Sequence, residues 1–281
     1  MYGASWALQM SPKIKINESN KRYLQRILFI FITYQSSFKQ LKIRFIPSND
    51  HTISALSETA LLVSFDPVID EAVNEKVIAL QQAFVADFFT GFIETVPGYS
   101  SLAVFYDAVA IRKYHPAVSS AFDFVKKHTE QLIHIPGDIA VKNEEAIINV
   151  PVYYNGDDLD EIAGRHNISV AELIRIHTEK TYRVFMIGFQ PGFAYMGKLD
   201  ERIATPRRSS PRTLVPAGSV GIAGFQTGIY PFASPGGWQL VGQTPLKIFD
   251  RERSSPCLLK AGDHIKFNSI SKEEFEQSNE Y

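Results

Sequence analysis

The sequence predicts two folding units in tandem: an α+β domain of ferredoxin-like kind over residues 41–150, then an all-β barrel over 151–272. Three observations predict this. Strand-like and helix-like runs interleave from 41 to 150. Residues 186–245 hold 17 of the chain's 32 glycines and prolines, a density that no helix survives and that keeps strands short. Residues 213–246 form a run of 34 without a single Asp, Glu, Lys or Arg. That run is too rich in Gly and Pro to cross a membrane, where unpaired backbone groups find no water. It reads instead as barrel wall and loops, with both faces kept from solvent.

In the first unit, "LKIRFIP" (41–47) and "TALLVSFD" (59–66) are predicted strands, rich in β-branched and aromatic residues. The stretch 68–87 carries Val73, Val77, Leu80 and Phe84 at helical spacing, with Asp70 and Glu71 in its first turn. Residues 91–107 read as strand, Pro-Gly turn, strand. A second helix is predicted over 116–132, and "AIINVPVYYN" (146–155) as a further strand. The second unit opens with two short helices, "DDLDEIAGRHN" and "SVAELIRIHT", for which Asp157 or Asp158 and Ser169 are the expected caps. From 181 to 270 only short strands are expected. Residues 273–281 read as a tail. Residues 1–40 read as an extension outside the native domain, with translation starting near Leu41. Their apolar stretch 27–34 is too short to span a bilayer.

The 281 residues are 45% hydrophobic and 21% charged, with a net charge of −1. This is a globular composition without the basic excess that nucleic-acid or polybasic membrane binding needs. A single cysteine, Cys257, excludes an intrachain disulfide and fits a cytoplasmic protein. The seven histidines show no HExxH spacing, so no metal site is expected, and neither a phosphate loop nor a GxSxG elbow is present. If the chain is part of an enzyme, its chemistry is shared with another chain.

The candidate site residues lie between 186 and 246. Arg207 and Arg212 each follow a proline, which fixes where the guanidinium starts. Arginine binds carboxylate and phosphate through two parallel bonds, so these two are candidates for an anionic ligand. Pairing with Asp200 and Glu201 is the structural alternative. Phe193, Tyr195, Tyr230 and Trp238 flank them as pocket walls or as core. Gln226 is a further polar candidate in the same run. Gly236 and Gly237 either let a ligand approach the backbone or simply permit a turn. Three weaker candidates concern catalysis. His177, with Glu179 nearby, is either a general base or a structural histidine at a helix end, and Ser219 and Ser234 are the hydroxyls deep in the uncharged zone.

The segments "GFQPGFAYMGKLD" (188–200), "TPRRSSPRTLVPAGSVGIAGFQTGIYP" (205–231), "SPGGWQLVGQTPLKIFD" (234–250) and "LLKAGDHIKF" (258–267) closely resemble one family. It is the family of carboxyltransferase C and D subdomains and allophanate hydrolase subunit 1, which includes 5-oxoprolinase B subunits and a sporulation kinase inhibitor. The resemblance implies a cyclophilin-like β-barrel behind a small α+β domain. It also implies partners: a homologous cyclophilin-like subunit and a third subunit, which together use ATP to convert 5-oxo-L-proline to L-glutamate. The other roles within the family are inhibition of a sensor histidine kinase and a part in urea breakdown. One departure stands out: Gln243 occupies a position where the family usually has arginine.

Overall fold

A computed structural model describes residues 51–134 and 147–278, together with two two-residue strands, β1 (Lys42–Ile43) and β6 (Ile139–Ala140). The extension expected at 1–40 lies outside the described residues.

The strands of the first unit are β2 (Thr52–Ser57), β3 (Ala60–Ser64), β4 (Phe92–Pro97) and β5 (Ser101–Tyr106). They form an antiparallel sheet in the order β2-β3-β5-β4. Helix α1 (Glu71–Ala86) connects β3 to β4. Asp70 is its cap, not part of its first turn, because the Asp70 carboxylate accepts from the Ala72 and Val73 amides. Leu61, Val63, Leu102 and Val104 of the sheet meet Val77, Leu80 and Phe84 of α1 in one core, all at 2% exposure or less. Full burial of each such side chain is worth about 1.5–3 kcal/mol, and Leu61→Ala costs about 2–5 kcal/mol. Strands β3, β5 and β4 with α1 make the split βαβ core of a ferredoxin-like unit. The outer strand, however, is β2, supplied from the N-terminal side, where the sequence pattern gives no strand.

Two helices follow β5. Helix α2 (Ala108–Tyr114) is absent from the sequence-based expectations although Asp107 caps it, accepting from Val109 and Ala110 at 2.9 Å. Helix α3 (Ala121–His134) begins later than residue 116, because Ser119 and Ser120 both donate to Asp123 in its first turn.

The strands of the larger sheet are β7 (Ile148–Val152), β8 (Thr181–Ile187), β9 (Ala194–Gly197), β11 (Ser219–Ala223), β12 (Gln226–Ile229), β14 (Gln239–Gln243) and β15 (His264–Ser269). Their order is β14-β11-β12-β9-β8-β15-β7. A separate pair, β10 (Arg212–Val215) with β13 (Ser234–Gly236), lies beside it. The sheet is mixed, since β7 runs parallel to β15 while its other pairings are antiparallel. The expected break at 150 falls inside β7.

The two edge strands nearly close on each other. Tyr153 and Gln243 exchange backbone hydrogen bonds of 2.9 Å in each direction. At this seam Gly156 and Gly242 are required, because a Cβ on either would run into the carbonyl oxygens of Leu240 or Tyr153. Gln243, where the family usually has arginine, donates its side-chain amide to the Ala217 carbonyl at 2.6 Å. The uncharged run supplies β11 to β14. All five residues of β11 and the first four of β14 are buried.

Helices α4 (Leu159–His166) and α5 (Val170–Glu179) pack against this sheet. Ser169 caps α5 by accepting from Glu172 at 3.1 Å. The expected tail forms helix α6 (Lys272–Ser278), opened by a reciprocal Ser271–Glu274 capping box.

Candidate functional site

Asp158 occupies the cap position of α4, yet its side chain makes no capping bond. It turns across the barrel seam instead. Its carboxylate accepts from Arg208 Nη1 and Arg212 Nη2, both at 2.7 Å, and from the Leu240 backbone amide at 2.6 Å. The carboxylate is 2% exposed, against 33% for Arg208 and 18% for Arg212. A buried carboxylate persists only when paired and hydrogen-bonded, and here three donors meet it. The same contacts fasten the 205–212 loop to the β13–β14 segment. Arg208 N–H donates to the Gly237 carbonyl at 2.8 Å, and Gln239 Nε2 donates to the Pro206 carbonyl at 3.2 Å.

Arg212, expected as a candidate for an external anion, is bonded to Asp158 within the fold. Pairing with Asp200 is excluded as well, since Asp200 binds Arg202 through two bonds of 3.0 and 2.9 Å. Arg207 is different. It is exposed, and no acidic side chain among the described residues lies within ion-pair distance of it. Its guanidinium sits over the Trp238 ring, 5.7 Å from the centroid, a contact worth about 0.5–1 kcal/mol at such a site.

Beneath Arg207 lies a packed aromatic cluster. Phe193 meets Tyr195 at 4.7 Å, Tyr230 at 5.1 Å and Trp238 at 5.4 Å between ring centroids. Phe193, Tyr230 and Trp238 are 1%, 1% and 4% exposed, so they form a floor and not a contact surface. Tyr195 is half-buried at the edge. Gly236 is obligatory, because a Cβ there would strike the Tyr230 hydroxyl, whereas Gly237 meets nothing closer than Pro211 at 3.6 Å. Gln226 stands at the start of β12, on the strand face shared by Gly228 and Tyr230 but at the opposite end from Tyr230.

Tyr99 belongs to this cluster although no sequence signal marks it as a site residue. It sits in the β4–β5 turn, with its ring 5.2 Å from Phe185 and 6.3 Å from Tyr195. Burial pushes its hydroxyl pKa up, Tyr195 adds to the rise and Arg207 opposes it. Burial also raises Tyr195 and Tyr230, and Arg207 opposes both. Three phenols thus share the field of one guanidinium. The one hint in the sequence is an aromatic placed inside a Pro-Gly turn.

The three weaker catalytic candidates are all buried. His177 is fully buried and stacked on Phe267 at 4.6 Å. Its Nδ1 lies 2.7 Å from the Tyr154 hydroxyl and its Nε2 3.0 Å from Thr227 Oγ1. Thr227 spends its one proton on the Gly221 carbonyl, so it accepts from Nε2–H, and Nδ1 accepts from Tyr154. Burial pushes the imidazole down to about 3. It is neutral, saturated and out of reach of a substrate, and Glu179 is bound to Arg175 instead. Ser219 and Ser234 are 4% and 7% exposed, and among the described residues no histidine or carboxylate hydrogen-bonds to either hydroxyl.

Over residues 51–259 the sequence matches the family described as carboxyltransferase domain, subdomain C and D. The chain belongs to this family. Among curated relatives of this carboxyltransferase-domain protein, it is 44% identical to the 5-oxoprolinase B subunit of Bacillus subtilis (strain 168) over 230 residues, 80% of this chain and 95% of that one. It is 39% identical to the 5-oxoprolinase B subunit of Haemophilus influenzae over 219 residues, 76% of this chain and 96% of that one. The solved structure of TTHA0988 superposes with a TM-score of 0.65 at 31% identity, covering 75% of this chain. This chain spans only 40% of that longer one. The urea amidolyase of K. lactis shares the fold, with a TM-score of 0.62 at 19% identity over 86% of this chain and 16% of that one. No helix among the described residues is long and apolar enough to cross a membrane.

Proposed function

We propose that this chain is the B subunit of an ATP-dependent 5-oxoprolinase. In this reading it works with a homologous cyclophilin-like subunit and a third subunit to convert 5-oxo-L-proline to L-glutamate. The observation that carries the reading is Arg207, a guanidinium with no acidic partner among the described residues, seated on Trp238 among tyrosines. The substrate offers one carboxylate and a small flat ring. Arg207 binds the carboxylate, and Tyr195 lines the edge against which the ring rests. The Asp158 network holds the 205–212 loop so that Arg207 is placed before substrate arrives. Ring opening adds the hydroxyl of water to the lactam carbonyl carbon, breaks its bond to nitrogen and leaves the proton on the amine. ATP hydrolysis drives this step in the assembled complex. This sequence has no phosphate loop, and none of its residues is assigned to the nucleotide.

The test is glutamate release from 5-oxo-L-proline by the three purified subunits with ATP, leaving out each in turn. Activity that disappears without this chain, and again with Arg207→Ala, supports the reading. Full turnover without this chain, or an Arg207→Ala variant with unchanged KM and kcat, overturns it.

A further inference from the structure

Asn74, on α1, is completely buried. Its Nδ2 donates toward the Gly98 carbonyl at 3.3 Å, the Tyr99 carbonyl at 3.2 Å and the Phe185 carbonyl of β8 at 3.1 Å. Its Oδ1 accepts from Arg183 Nε, also on β8, at 3.0 Å. One side chain thus bolts the β4–β5 turn of the small sheet to a strand of the barrel. The Gly98 amide closes the turn on the Ser101 carbonyl at 2.7 Å. The result is that Tyr99 is held rigidly against Phe185 and Tyr195.

The hydroxyl of this well-held ring is buried and has no hydrogen-bond partner among the described residues. An unpaired buried hydroxyl is a net cost to a fold, and phenylalanine would pack the ring equally well. The groups whose fields reach it are Tyr195 and Arg207. Both of these ionisable neighbours, a guanidinium and a phenol, are donors. A set of convergent donors suits a ligand group that only accepts, which means a carboxylate or a phosphate.

We propose that the Tyr99 hydroxyl donates a hydrogen bond to the carboxylate held by Arg207, so that the small sheet and the barrel each supply one arm of a single small-carboxylate site. This rests on the reading of Arg207 as the substrate anchor. Burial keeps the phenol protonated, and so a donor, throughout the physiological range. Tyr99 then acts in affinity and specificity, not in bond breaking.

The experiment is calorimetric titration of the full chain, wild type and Tyr99→Phe, with 5-oxo-L-proline, acetate and inorganic phosphate, alongside ligand-free thermal melts. The expected result is that 5-oxo-L-proline binds Tyr99→Phe about tenfold more weakly, the loss of one hydrogen bond to a charged group. The ligand-free melting temperature should stay equal or rise. Equal affinities in the two proteins for every ligand that binds, binding of none of the three ligands by wild type, binding of phosphate alone, or a lowered melting temperature would each overturn the proposal. Acetate that discriminates the two proteins while 5-oxo-L-proline binds neither would uphold Tyr99 as a carboxylate contact and sink the 5-oxoprolinase reading.

Discussion

Two polar centres lie a few strands apart in the barrel, and they are built on opposite terms. Around His177 every proton has a destination: Tyr154 donates to the ring, the ring donates to Thr227, and Thr227 donates to Gly221. Around Arg207 the accounting does not close. Among the described residues the Tyr99 hydroxyl lacks a partner, as does the buried Ser234 hydroxyl on the adjoining β13, and no carboxylate pairs with Arg207. The comparison teaches that a buried histidine is a poor guide to function when its network is complete. Buried polar groups left without partners are the better one, because the fold gains nothing from leaving them unmet.

The strongest way to break this comparison is at Asp158, which separates the two centres' logic. Asp158→Ala leaves two arginines and the Leu240 amide without their acceptor and should cost about 3–5 kcal/mol in urea denaturation. A loss below about 1 kcal/mol would mean that the arginines find other partners. Arg207→Ala should do the reverse. Its kcat/KM in the assembled complex should fall about 100-fold, as expected for a charged two-bond contact, while its melting temperature stays within a degree or two of wild type.

Next in size is the pH dependence set by His177. The unfolded chain takes up this proton near the ordinary value of 6.5, the folded chain only at about 3. Stability is therefore complete above 6.5 and lost progressively as pH falls toward 3. Between pH 7 and pH 5 this residue alone should remove about 2 kcal/mol. Denaturation curves of wild type and His177→Gln at both pH values isolate it, since the other groups cancel in the difference. An equal loss in both proteins would show that the imidazole titrates freely. The smallest effect is expected for Ser234→Ala. Its unpartnered hydroxyl contributes nothing, so stability should hold or rise by less than about 1 kcal/mol, with turnover unchanged. Lost turnover would restore Ser234 as a nucleophile.

Local signals are readable in the sequence wherever one residue settles its own surroundings. Asp70 and Ser169 announce helix starts, and the glycine and proline density from 186 to 245 announces short strands. What escapes depends on contacts between distant parts of the chain. Asp158 looks like a cap from its place before α4, but partners 50 and 54 positions away redirect it. Tyr99 lies in an ordinary turn, and contacts between distant residues, its ring against Phe185 and Tyr195 and the bond from Asn74 to Phe185 111 positions away, bring that turn to the barrel. Arg207 and Arg212 are indistinguishable by spacing, since both follow a proline, and the fold bonds only Arg212 to Asp158. Helix α2 is hard to read because it is short, although its Asp107 cap is in plain view.

The strand β15 is the last of the barrel to leave the ribosome, yet it stands between β7 and β8 and not at an edge. Synthesis order and spatial order are thus out of step. A nascent chain that has emerged only as far as residue 260 has made β7 and the strands from β8 to β14 but lacks the one that joins them. At about 5–20 residues per second, β7 waits several seconds for its neighbour, with its Val150 and Val152 uncovered on that side. The full strand order of the larger sheet therefore cannot be reached until β15 has emerged between neighbours made before it.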